Sequence, residues 1–137
     1  MLIDRIFVYG SLRSDMFNYK KLLKGKVNNI VKGSISGELF HLDNKGYPAV
    51  IPGNNRIQGE LMEVIDFEKS LIELDELENY TENNMNCEYL RKIVKVTLDN
   101  GNIENAYYYE YNPKADINLD DKLIPVLNGD WKEFMIK

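Results

Sequence analysis

The tetrapeptide Asp99-Asn100-Gly101-Asn102 separates two runs of strand-forming residues, and this arrangement constrains the fold more than any other feature. An Asn-Gly pair between β-branched and aromatic runs marks a hairpin and predicts strands over Tyr89–Leu98 and Ile103–Tyr111. Neither strand alternates cleanly between apolar and polar residues. Leu90, Val94 and Val96 oppose Tyr89 and Ile93; Ala106 and Tyr108 oppose Tyr107 and Tyr109. Apolar groups on both faces need cover on both faces. A barrel or a helix-covered sheet supplies it; an open one-faced sheet does not.

The rest of the chain fits that frame. Ile3–Tyr9 reads as a buried strand stopped by Gly10-Ser11, and Asp15–Leu23 as a short helix with Gly25 just past its end. Strand-like stretches follow at Val27–Phe40, Tyr47–Ile51 and Arg56–Ile65, punctuated by Gly33, Gly37, Pro52-Gly53 and Gly59. Asp66 is placed to cap a helix running to about Leu77 or Glu78. Trp131 is the expected anchor of a less regular tail. No linker or repeat interrupts the 137 residues. The expectation is one α+β domain over residues 1–137: a small curved mixed sheet or barrel of about six strands with two or three helices.

The residue inventory removes several chemistries. With one cysteine (Cys87) and one histidine (His41), the chain can form no internal disulfide and no four-ligand His/Cys zinc site. Any Ser-His-Asp or Cys-His catalyst would pass through His41. His41, at a strand end, is expected to be structural and partly exposed, and Cys87 to be a buried small apolar group. Asp116, Asp120 and Asp121 fall in a polar stretch and read as loop residues, not metal ligands. Lys20, Lys21, Lys24 and Lys26 read as the solvated face of the first helix.

The formal charge is −5, and residues 66–82 alone carry seven acids against one base, Lys69. An acidic chain without a broad basic face argues against nucleic acid as a partner. Unbroken apolar runs reach only four residues, at Ile6–Tyr9 and Ala106–Tyr109, far too short to span a membrane. Asp4 and Arg5 break the N-terminus before a signal-peptide core could form, so a cytoplasmic location is expected.

Two local anomalies carry chemical information. At about 100° per residue, Phe67, Leu71 and Leu74 form the buried stripe of the predicted helix, and Glu78 is the next position of that series. A carboxylate there is costly unless paired or protonated. Partial burial, Asp75, Glu76 and the negative helix end would all raise its pKa, which suits a group that takes and returns a proton. The alternative is that the helix frays at Leu77 and Glu78 turns to solvent. The second anomaly is Tyr9-Gly10-Ser11-Leu12-Arg13, where a buried strand enters Gly-Ser before a predicted helix. Such a turn can direct backbone N–H groups at an anion, or it can be an ordinary connection.

At these residues the sequence resembles the γ-glutamylcyclotransferase-like family, including γ-glutamylamine cyclotransferases. Tyr9-Gly10-Ser11-Leu12, with Arg13, matches the family's Tyr-Gly-Ser/Thr-Leu loop. Leu74-Asp75-Glu76-Leu77-Glu78-Asn79-Tyr80 is similar to its Leu-Asp-x-x-Glu-Gly-Tyr signature, with Asn79 in place of glycine. Tyr89-Leu90-Arg91 and Ala106–Tyr111 fill the roles of its later strands. Gly37–Phe40, Tyr47-Pro48-Ala49, Gly59-Glu60-Leu61 and Gly129-Asp130-Trp131 extend the likeness over roughly Ile6 to Trp131.

The resemblance implies an intramolecular reaction in which the α-amine of a γ-glutamyl group attacks its own γ-carbonyl, releasing 5-oxoproline and an amine or amino acid. It assigns Glu78 as general base and acid. Tyr9, Gly10, Ser11, Leu12, Arg13, Tyr89 and Tyr109 become candidate substrate-binding residues. The Gly10–Leu12 amides would hold the α-carboxylate or the oxyanion. The implied partner is a small γ-glutamyl substrate; no metal or organic cofactor is called for. Two alternatives keep the same pocket: a non-catalytic γ-glutamyl-binding protein, and removal of a γ-glutamyl protecting group in a biosynthetic pathway.

Overall fold

The computed structural model describes residues 4–10, 12–13, 25–78, 80–81 and 84–136. The expected helix over Asp15–Leu23 lies outside the described residues, as do Ser11, Asn79, Glu82 and Lys20, Lys21 and Lys24. In chain order the elements are β1 (Arg5–Val8), β2 (Val27–Leu42), β3 (Tyr47–Val64), α1 (Phe67–Leu77), β4 (Tyr89–Leu98), β5 (Ile103–Tyr111), a single 3₁₀ turn (Asp116–Asn118), β6 (Leu123–Pro125) and α2 (Trp131–Ile136).

Five strands close on themselves. β3 pairs antiparallel with β1, β1 runs parallel to β5, β5 pairs antiparallel with β4, β4 meets β2, and β2 returns to β3. β6 adds to the free edge of β2 through Phe40↔Pro125, His41↔Ile124 and Leu42↔Leu123. The result is the α+β barrel-type domain expected from the two-sided hairpin.

Closure explains why the strands are apolar on both faces. Phe7, Tyr9, Ile35, Leu39, Val50, Ile57, Val96, Ala106 and Tyr108 fill the barrel interior with Trp131. Ile6, Val8, Met62, Val64, Tyr109 and Tyr111 point outward into a second core with Leu74 of α1. Phe67 stacks on Tyr107 at a centroid distance of 5.9 Å, seating the start of the helix. Helix cover stops short of the far part of β4: Ile93 is 58% exposed, so the two-sided expectation fails at that residue.

Glycine is required where strands cross closely. A Cβ on Gly59 would lie 2.3 Å from the Val8 carbonyl oxygen and 2.5 Å from the Phe7 ring, so β1 could not lie against β3. Pro52-Gly53 breaks nothing. β3 is continuous, and its register with β2 jumps from Glu38↔Ile51 to Gly37↔Asn55, leaving residues 52–54 as a bulge.

Several side chains depart from expectation. Asp66 precedes α1 but sits in left-handed backbone (φ 49°) and makes no side-chain cap; extended backbone is the usual N-cap geometry. His41 is buried, its Nδ1 accepting from Trp131 Nε1 at 3.0 Å, so the indole orders it inside rather than at a partly exposed strand end. Trp131 is fully buried, as expected of an anchor. Cys87 is buried as expected and also polar in use: its Sγ accepts from the Thr81 amide at 3.2 Å.

Candidate functional site

Helix α1 does not fray before Glu78. The Glu78 amide donates to the Leu74 carbonyl at 3.0 Å, and the Tyr80 amide reaches back to the Asp75 carbonyl at 2.8 Å. That second bond closes the end of the helix. Glu78 is therefore the half-in residue of the helix end, and its side chain is only partly accessible.

The carboxyl of Glu78 lies among phenols. Tyr9, Tyr47, Tyr89 and Tyr109 all feel its charge. Burial, followed by the negative charge of Glu88, pushes its pKa up from 4.5 to about 8. The sequence pointed to burial correctly but to the wrong neighbours. Asp75 is neutralised by Arg91, whose Nη1 donates at 2.5 Å, and Glu76 is exposed. Among the described residues, no cation and no hydrogen bond reaches the Glu78 carboxylate.

Each phenol around Glu78 spends its proton elsewhere. Tyr9 donates to the Tyr109 carbonyl at 2.6 Å, Tyr89 to the Pro48 carbonyl at 2.5 Å, Tyr109 to Asp75 Oδ1 at 2.6 Å, and Tyr47 to Glu88 Oε2. Burial leads the causes that hold all four hydroxyl pKa values above the usual tyrosine value, so the protons stay in place. With its proton committed, a phenol offers only oxygen lone pairs to a ligand. Lone pairs beside a carboxylate favour a donor-rich cation, such as an ammonium.

The Gly10 loop packs against the same wall. A Cβ at Gly10 would lie 2.6 Å from Pro48 Cγ, so glycine permits the contact. The Arg13 amide donates to the Gly10 carbonyl at 3.0 Å, closing a turn at Gly10–Arg13. Leu12 is buried in the outer core. Arg13 is also buried; its Nη1 donates to Asp130 Oδ1 at 2.7 Å, while Nε has no partner among the described residues. Asp130 Oδ1 also accepts from the Glu133 amide at 3.2 Å, tying this loop to the first turn of α2.

Sequence reasoning missed Tyr47, Asp75 and Glu88 as members of this site. Tyr47 and Pro48 were visible only as a motif segment, and Asp75 only as a charged neighbour of Glu78. Asp121 was expected as a loop residue and lies between the 3₁₀ turn and β6, where its side chain is buried, accepting from Lys45 at 2.9 Å and from Tyr111 at 2.6 Å. Among the described residues, no group of three or more His, Cys, Asp or Glu side chains is placed to hold a metal ion, and no helix is long and apolar enough to cross a membrane.

Residues 6–133 match the family described as γ-glutamyl cyclotransferase, AIG2-like. The chain is 31% identical over 134 residues to a Methanocaldococcus jannaschii protein provisionally named a γ-glutamylcyclotransferase, covering 96% of this chain and 98% of that protein. It is 31% identical over 128 residues to the γ-glutamylcyclotransferase family protein YtfP of Escherichia coli, covering 93% and 95%. The crystal structure of an AIG2-like protein from Mus musculus superposes with a TM-score of 0.66 at 23% identity. That match covers 90% of this chain and 86% of the mouse protein, and the likeness is one of fold.

Proposed function

The chain belongs to the γ-glutamyl cyclotransferase, AIG2-like family, and we propose that it cyclises the γ-glutamyl group of γ-glutamylamines or short γ-glutamyl peptides to 5-oxoproline. The observation that supports this reading is the Glu78 carboxyl, which meets no cation among the described residues and which burial and the charge of Glu88 push up to about 8.

In the proposed reaction the substrate's α-ammonium enters the acceptor-lined space beside Glu78. The ionised carboxylate takes one proton from it. The freed amine attacks the γ-carbonyl carbon and forms the lactam C–N bond. As the bond to the leaving nitrogen breaks, that nitrogen receives the proton held by Glu78. The regenerated carboxylate takes the second proton, which the ring nitrogen sheds as the lactam forms, and passes it to the departing amine. Nucleophile and electrophile share one chain, so the site has only to hold the folded conformer. A carboxyl with a pKa near 8 is closer to an amine than an ordinary glutamate is, which suits it to both transfers. The amides of Gly10–Leu12, with Arg13 behind them, are assigned to the α-carboxylate or the developing oxyanion. Tyr9, Tyr89 and Tyr109 line the ammonium side. The domain works in the cytoplasm on small soluble substrates in this reading.

The test is release of 5-oxoproline from a panel of γ-glutamylamines and γ-glutamyl dipeptides. Wild type is expected to turn over at least one member, and Glu78→Gln to lose roughly a thousandfold or more in rate, within the range for removing a positioned acid–base group. If wild type binds γ-glutamyl ligands and releases no 5-oxoproline, the protein is a binding member of the family and the catalytic reading falls.

A further inference from the structure

The barrel carries a second recess on the outer face of β2, away from the Glu78 site. It has a volume of about 310 Å³ and is lined by Ser34 and Ser36 of β2, Asn54 and Arg56 of β3, and Lys95 and Thr97 of β4. The strand register explains why these side chains meet. Ser34 lies opposite Thr97, and Ser36 lies opposite Arg56. Residues two apart on a strand, and residues paired directly across strands, share one face of a sheet. Ile35, between the two serines, points the other way and packs in the barrel interior. Asn54 comes from the bulge at 52–54, which adds its amide to the lining. The stretch of β4 from Tyr89 to Thr97 spans roughly 27 Å at the usual rise per residue, so the recess and the Glu78 pocket are served by opposite ends of that strand.

The chemistry of the lining is one-sided. Arg56 and Lys95 are cations, the three hydroxyls and the Asn54 amide can donate, and no lining side chain is acidic. The chain has 22 acids against 17 bases, and Arg5, Arg13, Lys26, Lys45, Arg91 and Lys92 all have a carboxylate within ion-pair distance. Among the described residues, no carboxylate pairs with Arg56 or Lys95. Arg56 is held in place: its Nε donates to Ser34 Oγ at 3.1 Å, which leaves the two Nη groups of its fork for a ligand. The Ser34 hydroxyl, having accepted, keeps its own proton to donate.

A lone carboxylate, with two oxygens and one charge, would leave much of this donor set unmatched. A phosphate-type oxyanion offers three oxygens and nearly two charges, which suits two cations and several neutral donors. A nucleic-acid strand calls for a broad basic face, not one recess on an acidic chain. We propose that this recess binds a small phosphate-class anion, with Arg56 and Lys95 as its charged partners and Ser34, Ser36, Thr97 and Asn54 as neutral donors. Ile103 also lines the recess and is 64% exposed, an apolar surface for the organic part of a phosphate monoester. The site is independent of Glu78 and of any turnover there.

The test is an ¹⁵N NMR titration of the full chain with inorganic phosphate and, separately, with phenyl phosphate, at neutral pH and an ionic strength held constant with sodium chloride. Saturable shifts are expected at the amides of Ser34–Ser36, Arg56 and Lys95–Thr97. Tighter binding of phenyl phosphate identifies a phosphate monoester as the ligand; affinity no better than that of inorganic phosphate identifies the free ion. Arg56→Gln and Lys95→Gln should each weaken binding about tenfold, the worth of one charge-assisted hydrogen bond. Both residues are exposed, and a thermal melt of each variant checks that the fold is kept. Glu78→Gln should bind phosphate as wild type does. Shifts that fail to saturate, that centre on the Gly10–Arg13 loop instead, or that survive both substitutions overturn the proposal. The wild-type titration decides even if a variant fails to fold, and it needs no 5-oxoproline release.

Discussion

Helix α1 carries two carboxylates three residues apart that meet opposite fates. Asp75 accepts from Arg91 and from the Tyr109 hydroxyl, and Arg91 lies over the Tyr80 and Tyr107 rings at 5.1 and 5.3 Å. Glu78, one turn on, is surrounded by the same kind of groups but receives no cation among the described residues. Burial, followed by the charge of Glu88, pushes its pKa up to about 8. The Lys45–Glu88–Asp121 cluster repeats the paired solution in a more enclosed place, with side-chain exposures of 16%, 4% and 2%. The contrast teaches that burial alone does not make a proton carrier. Among the described residues the fold brings a base to Asp75, Glu88 and Asp121 and none to Glu78.

Substitutions can break that contrast from either side. The largest effect is expected at Glu78, where Glu78→Gln should remove turnover while leaving the fold intact, as 5-oxoproline release and a thermal melt will show together. Next comes Lys45→Met. It strands Glu88 and Asp121 in a buried site, and breaking such a pair costs about 3 kcal/mol, read as a drop in urea midpoint at pH 7. An equal loss from Glu78→Gln would mean that Glu78 is a structural partner like the others.

The pH dependence of stability sharpens the comparison further. The folded protein holds the Glu78 proton up to about pH 8, whereas the unfolded chain releases it near 4.5. Across that window the native state binds more protons, so this group's contribution to stability falls as pH rises and levels off above 8. The slope is roughly 1.4 kcal/mol per pH unit for one fully linked proton. Wild type should lose stability relative to Glu78→Gln between pH 5 and 8, and the difference should vanish below about 4.5. The smallest effect is expected from Tyr109→Phe. It removes one donor from Asp75, which keeps Arg91, and should cost about 1 kcal/mol in stability and less than tenfold in kcat/KM.

The parts legible in the sequence were those written locally. The hairpin over Tyr89–Leu98 and Ile103–Tyr111 is where its turn placed it, because Gly101 supplies the positive φ (91°) that the chain reversal needs. Glu78 was found by helical periodicity, which survives because the helix is sealed by its own backbone. What escaped depends on pairing at long range. Glu88 meets Lys45 and Tyr47 across more than forty residues, and Asp75 meets Tyr109 across 34. No local pattern encodes such encounters. Ile93 reads as a core residue by type, yet it is exposed because α1 covers β5 and leaves that part of β4 bare.

Glu78 meets no cation among the described residues, and burial with the charge of Glu88 holds its carboxyl well above the ordinary carboxylate range. Direct titration of its side-chain carboxyl by ¹³C NMR, assigned by comparison with Glu78→Gln, tests this. A midpoint near 8 is expected. A midpoint near 4.5, the value of an ordinary solvated glutamate, would contradict it.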